Sequence, residues 1–220
     1  MKSMKPRTRA LLRRLCADAG SAVHRETLEE ALWPDTDAEA AARNLHVAVS
    51  SLRKALEPGV SRGASSLLVR EGDTYRLVLP PGSEVDVRTF DDGLDRSRRA
   101  RQSGDVEGAL EAFEQAAVFG TQDFLPEDGS AEWVTQRRGR SRAALTDAAR
   151  PLAKLLLSRA QNQAAAQVCA KALEGDRYDD ELWRLLIQAR EKGGDEAGSR
   201  RAHTEYRRLV AELDVRATRP

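Results

Sequence analysis

The sequence predicts a mainly α chain whose first part carries one β-hairpin and whose second part carries none. Three observations lead there. Residues 1–56 contain three apolar repeats at helical spacing, broken at Gly20 and at Trp33-Pro34. Residues 67–79 contain two β-rich runs around a turn with Gly72. From Val85 onward, helical patterns follow one another with no strand pattern between them. A length of 220 residues allows one or two domains, each with its own core.

Pro6 stands where a first helical turn tolerates proline, and Leu11, Leu12, Leu15 and Cys16 repeat behind it until Gly20. A second helix is expected over 25–32, with Leu28, Ala31 and Leu32 apolar. Trp33-Pro34 ends it, because a residue before proline avoids the helical region. Asp35, Thr36 and Asp37 make a polar turn and offer caps for a third helix, 38–56. Pro58-Gly59 and a Ser/Gly stretch close that helix. The runs 67–70 and 75–79 then bracket Glu71-Gly72-Asp73-Thr74 as a hairpin.

Along the third helix, at about 100° per residue, Leu45, Val49, Leu52 and Leu56 fall on one stripe. Arg43, His46, Val47, Ser50 and Lys54 fall on the opposite face. A helix with one buried stripe and a basic, hydrogen-bonding face is what a DNA major groove accepts. An ordinary amphipathic surface helix has the same periodicity, so the flanking elements decide between the two. Three short helices followed by a hairpin make a winged helix-turn-helix.

With these elements in place, the sequence resembles the OmpR/PhoB-type DNA-binding domain in the form carried by SARP-type activators. The resemblance rests on RALLRRLCADAGSAVHRETLEEALWP, AARNLHVAVSSLRKALEP and GASSLLVREGDTYRLVLPPGSEVD. It continues into the second half, which is similar to the bacterial transcriptional activator domain of such regulators. The resemblance implies a winged helix over 1–84 and an all-α, TPR-like helical-repeat domain over 85–220. It implies that helix 38–56 enters the major groove of double-stranded DNA and that the wing, 67–79, lies at the minor groove. Arg43, Arg53 and Lys54 would then serve phosphates and nearby base edges, while His46, Ser50 and Ser51 face bases and Val47 meets a thymine methyl. Arg70 matches the wing arginine that such domains place in the minor groove. The loop from Trp33 to Ala40, with Trp33, Asp35 and Asp37, corresponds to the segment presented to RNA polymerase. A homodimer on repeated half-sites is a further expectation.

Two departures from the family pattern stand out. Ser50-Ser51 replaces the paired arginines common in the response-regulator branch. Only Met1 to Lys5 precede Pro6, fewer than the family's N-terminal sheet needs, so the hairpin is expected to lack a sheet beside it.

In the second half, three segments share a small residue, an aromatic or Cys four positions on, and a small or apolar residue three further. These are Ala109/Phe113/Ala116, Ala165/Cys169/Ala172 and Ala202/Tyr206/Leu209. Small-against-large packing of this kind stacks paired helices, here at irregular intervals. Gly104-Asp105, Gly175-Asp176 and Gly193-Gly194-Asp195 break the helices. Residues 119–130 read as a loop, Trp133 and Trp183 as core anchors, and Pro151 is expected to kink or split its helix. Arg137, Arg138, Arg140 and Arg142 read as a solvated face balanced by neighbouring acids.

The net charge is +1, with 13 Lys/Arg against 10 Asp/Glu in residues 1–80 and 23 against 25 in residues 81–220. DNA affinity must therefore rest on placement more than on bulk charge. Cys16 and Cys169 lie on apolar helix faces, which predicts buried, reduced thiols and a cytoplasmic protein. His24, His46 and His203 lack metal-ligand spacing, and no metal or cofactor is expected. No apolar run reaches the roughly 18–20 residues of a membrane span, and no signal-peptide stretch follows the basic start. Phosphate-binding GxxxxGK[ST], Rossmann glycines and a nucleophile elbow are all missing, so no enzyme is expected. The sequence thus points to a sequence-specific DNA-binding transcription regulator, an activator by resemblance. The alternative is a helical-repeat interaction scaffold whose winged helix binds no DNA.

Overall fold

The computed structural model describes residues 4–61, 64–122 and 124–217, with side chains to 213. The chain divides into two compact units: Met1–Arg88 with Glu127–Thr135, and Thr89–Pro126 with Gln136–Pro220. Among the described residues no helix is long and apolar enough to cross a membrane.

The first unit begins with α1 (Pro6–Ala17), whose Leu11 and Leu15 are fully buried. Gly20 then turns the chain with φ +84°, and its N–H donates to Leu77 O at 3.1 Å. Only a residue without Cβ takes that backbone conformation cheaply. The turn delivers a short strand, β1 (Ala22–His24), and then α2 (Arg25–Leu32). Arg7 donates to Leu32 O at 2.7 Å, satisfying a carbonyl that the end of α2 leaves open. The turn 33–37 leads into α3 (Ala38–Leu56), where the Asp37 carboxylate accepts from Ala40 N at 2.9 Å as the N-cap.

Two further strands, β2 (Leu68–Glu71) and β3 (Thr74–Leu77), form the hairpin. Gly72, at φ +59°, takes the first central position of its two-residue turn, as a II′ turn requires. The hairpin is extended by a third strand that the sequence reading does not include. β1 pairs antiparallel with β3, Val23 opposite Tyr75, so the strand order is β1-β3-β2. A three-residue strand is too short to show an alternation in the sequence, and its pairing is entirely non-local.

The core of this unit joins Leu11, Leu15, Val23, Leu28, Leu45 and Leu52 with Leu68, Tyr75 and Leu77 of the wing. The stripe read along α3 is buried at Leu45, Val49 and Leu52, with Ala41 and Ala48 beside them. Truncating one of these leucines to Ala would cost about 2–5 kcal/mol. Residues 127–135 complete the unit. Arg13 pairs with Asp128 at 2.5 Å and Glu127 at 3.5 Å, and the Arg14 guanidinium lies 5.3 Å from the centre of the Trp133 ring. Trp133, expected to be a core anchor, is instead half-buried beneath that guanidinium.

Helices make up the second unit: α4 (Asp86–Ser103) from Thr89 onward, α5 (Val106–Gly120), α6 (Glu132–Ser158) from Gln136 onward, α7 (Asn162–Gly175), α8 (Asp180–Lys192) and α9 (Glu196–Ala217). The small–large–small segments lie at their contacts. Ala109, Phe113, Ala116, Ala165, Cys169 and Ala172 are fully buried, as are Ala202 and Leu209 nearly so, while Tyr206 is half-buried. Burial pushes the Cys169 thiol up to about 12, with Asp179 adding to the rise, so it behaves as a small apolar residue. Trp183 is buried, donates from its indole N–H to Arg177 O at 2.8 Å, and stacks 6.3 Å from Tyr206.

Pro151 does not split its helix, which runs unbroken from Glu132 to Ser158. Leu145, Ala149, Leu152 and Leu156 are all fully buried on that helix. Their burial outweighs the roughly 3 kcal/mol that an internal proline costs. Of the arginine cluster, Arg137 reaches Asp91 at 2.7 Å and Arg138 donates to Phe124 O and Leu125 O, so these two organise the unit instead of facing only solvent.

The contact of α4 with α5 is set by Gly93. A Cβ there would stand 2.9 Å from the Ala116 Cβ and 3.3 Å from Ala112 O. Gly93→Ala is therefore expected to destabilise by about 1–3 kcal/mol through overpacking, despite the better helix propensity of Ala. Gly139, in α6 with open space around it, is the control. Gly139→Ala should stabilise by up to about 1 kcal/mol in the same urea titration.

Candidate nucleic-acid interface

The helical period that buries Leu45, Val49 and Leu52 turns the other side of α3 to water. Arg43, His46, Val47, Ser50 and Lys54 are all exposed there. Val47 keeps 61% of its surface, an apolar side chain that the fold itself does not use. Ser51 and Arg53 are half-buried at the edge of this face.

Between α3 and the wing lies a groove of about 340 Å³. His46, Ser50, Arg53 and Lys54 line it from the helix, and Arg70 and Tyr75 from the hairpin. Five of the residues singled out in the sequence thus converge on one concavity. Arg43 does not line it. Its guanidinium pairs with Glu39 one turn earlier, both side chains being well exposed.

Arg53 is held differently. Its Nε and one terminal N–H both donate to Leu68 O, at 3.0 and 2.9 Å. That carbonyl has no partner in the ladder. Val78 N donates to Leu67 O at 2.8 Å, so by strand alternation the next carbonyl points off the outer edge of β2. Arg70 extends from the wing, where its Nε donates to Gly72 O at 2.8 Å and its guanidinium lies 5.8 Å from the Tyr75 ring centre. Asp73 stands 3.8 Å from it. The arginine is preoriented at the wing's tip, and its charge is partly offset by that carboxylate.

Glu57 was not legible as part of this region. It sits at the C-cap of α3, and its carboxylate accepts from the Ser65 hydroxyl, from Ser66 N at 3.0 Å and Oγ at 2.8 Å, and from Leu67 N at 3.2 Å. These donors lie eight to ten residues downstream, and no periodic pattern links them. The serines offered the only hint, as part of a Ser/Gly stretch that reads simply as loop.

In the loop before α3, Trp33 packs into the core with 9% of its surface exposed. It anchors the loop, while Asp35 and Asp37 stay exposed, the latter engaged as the helix cap. Among the described residues no group of three His, Cys, Asp or Glu could hold a metal ion.

Comparison with known proteins places both units. Residues 2–77 match the model of the transcriptional regulatory protein C-terminal family. Residues 85–219 match the model of the bacterial transcriptional activator domain. A solved structure of Mycobacterium tuberculosis EmbR in complex with a low-affinity phosphopeptide superposes with a TM-score of 0.68 at 22% identity. The match covers 97% of this chain and 55% of that one, so the chain spans about half the length of that relative. No curated protein matches. The chain belongs to the bacterial transcriptional activator domain family, joined to an OmpR/PhoB-type winged helix as in SARP-type regulators.

The hydrogen bonds at Glu57, the Ser65 hydroxyl first and the Ser66 amide next, hold its carboxyl at about 2, below the usual 4.5. A lowered native value means that the carboxylate's contribution to stability is complete above about pH 4.5. It is lost as the pH falls from there toward 2. In urea titrations the parent should exceed Glu57→Gln by a constant margin above pH 4.5, a margin that shrinks toward pH 2. A pH-independent margin would contradict this assignment.

Proposed function

We propose that this member of the bacterial transcriptional activator domain family is a sequence-specific DNA-binding regulator, and an activator. α3 enters the major groove and the hairpin wing lies at the adjoining minor groove. The observation that carries the reading is the groove between α3 and the wing, where His46, Ser50, Lys54 and Arg70 converge beside an exposed Val47. A concave surface with both a helix and a ribbon arginine at its rims fits a phosphate ridge flanked by two grooves.

Within this reading, Lys54 and Arg43 neutralise phosphates, and His46, Ser50 and Ser51 reach base edges. Val47 supplies the apolar contact that a thymine methyl accepts. Arg70 enters a narrow, A·T-rich minor groove. Residues 1–84 carry this task, and residues 85–220 engage protein. Asp35 and Asp37, on the exposed loop that Trp33 anchors, face RNA polymerase. The regulator works in the cytoplasm, without a cofactor or enzymatic step, and a second copy occupies a repeated half-site.

Selection of bound fragments from a random duplex library, at two salt concentrations, tests the reading. A recovered consensus supports it. Recovery of no preferred sequence would favour an interaction scaffold with a silent winged helix. On the selected site, Lys54→Ala should weaken all sequences alike and flatten the salt dependence by about one unit. Arg43→Ala should act in the same direction but less, because Glu39 already offsets its charge. Replacing His46 or Ser50 by Ala should blur one or two base pairs, each worth about 1–3 kcal/mol. Arg70→Ala should lose preference only at the flank the wing covers. Parent-like binding by all of these variants would overturn the DNA-reading mechanism.

A further inference from the structure

We propose that Arg53 and Glu57 are positioning residues that fix the wing at a set distance from α3, so that helix and wing read one DNA site in register. The inference rests on the reading above and goes beyond it, because it removes Arg53 from the DNA contacts and adds a residue that no DNA contact would reveal.

The geometry starts from the edge of the sheet. β2 is an outer strand, and edge strands leave backbone groups without ladder partners. Leu68 O is such a group, next to a side chain that is fully buried in the core. Arg53, one helical turn before the end of α3, places two donors on it. A planar guanidinium offers both N–H groups in fixed directions, which constrains the helix-to-strand distance better than a lysine would.

Glu57, the C-cap residue one turn further on, acts on the segment that enters the same strand. Its two oxygens take the Ser65 and Ser66 hydroxyls and the Ser66 and Leu67 amides, the residues that lead directly into β2. Side chains four apart, at the last turn and the C-cap of α3, thus hold consecutive backbone groups of residues 66–68. One is cationic and takes a carbonyl; the other is anionic and takes amides. Shear of the wing along α3 would break both sets at once.

Both residues also line the groove that separates Lys54 from Arg70. The width of that groove decides whether Arg70 reaches the minor groove while His46 and Ser50 meet bases. Arg70 is oriented within the wing by Gly72 O and Tyr75, so its position relative to α3 is inherited from whatever holds the wing. Arg53 and Glu57 do so from the helix side.

The test uses the full chain with Arg53→Gln, Arg53→Lys, Glu57→Gln and, for comparison, Lys54→Ala. Without DNA, hydrogen exchange of the amides over 66–77 should speed up about tenfold or more in Arg53→Gln and Glu57→Gln, as expected when charged hydrogen bonds are lost. Amides within α3 should exchange as in the parent. With a selected duplex, both variants should lose preference at the wing-side base pairs while keeping the preferences read by α3. The salt slope should stay at the parent value in Arg53→Gln, where Lys54→Ala lowers it by about one. Adding Arg70→Ala to Arg53→Gln should cost nothing more at that flank, a non-additivity that simple destabilisation would not produce. Arg53→Lys, with one donor in reach, should fall between parent and Arg53→Gln.

Unchanged wing exchange in both variants overturns the proposal. So does a salt slope lowered by about one in Arg53→Gln with the flank preference intact, which would make Arg53 a phosphate contact. A parent that selects no sequence defeats the DNA reading instead, and the exchange result then decides the positioning role alone.

Discussion

Everything in the first unit depends on α3 meeting two opposed demands along nineteen residues. One face must bury Leu45, Val49 and Leu52 against α1, α2 and the wing, since a unit this small has few other large side chains to bury. The other face stays in water, with His46, Ser50 and Lys54 exposed and Arg43 paired only with Glu39. A period of 3.6 residues lets both demands be met without compromise, provided no side chain of intermediate character strays onto the wrong face. Val47 is the apolar residue on that face, and it keeps most of its surface in water, as single surface hydrophobics commonly do.

The wing imposes the second constraint. A two-stranded ribbon is marginal by itself, and here it gains a third strand from Ala22–His24 and a buried Leu68–Tyr75–Leu77 face. Those contacts fix which face of the wing is inward, but apolar contacts are not directional. They tolerate a small slide along the helix. The hydrogen bonds from Arg53 and Glu57 do not, which is why the division of labour between greasy contacts and charged ones falls where it does.

The helices, the hairpin and the turn at Gly72 were legible in the sequence because each leaves a local mark: a period, a proline, a cap or a glycine. The exposed polar face of α3 was legible for the same reason. What escaped has no local mark. β1 has three residues and a partner some fifty positions away. Pro151 carries an intrinsic cost that the sequence shows, yet the fully buried residues on the same helix, Leu145 and Leu152 among them, set the outcome. Arg53 and Lys54 look alike in the sequence because both are basic neighbours on one helix. Only the fold shows that one side chain reaches back to a strand edge while the other stays exposed. Glu57 lay outside any pattern, since its partners are backbone amides of a loop.

The charge balance then acquires a physical meaning. The first 80 residues exceed neutrality by only three charges, too few for a broad electrostatic footprint. Several of the cations are further occupied within the unit: Arg7 at Leu32 O, Arg13 at Asp128, Arg43 at Glu39, Arg53 at Leu68 O and Arg76 at Glu71. Exposed pairs such as Arg43 with Glu39 are worth little and are easily exchanged for a phosphate. Arg53 differs, because releasing it would strand an edge carbonyl beside the core. On the proposed reading, a surface so sparing of free charge would bind non-specific duplex weakly, and discrimination would come from how well a few groups are placed. Rigidity between α3 and the wing would then matter more than in a strongly basic domain, where excess charge masks a misplaced contact.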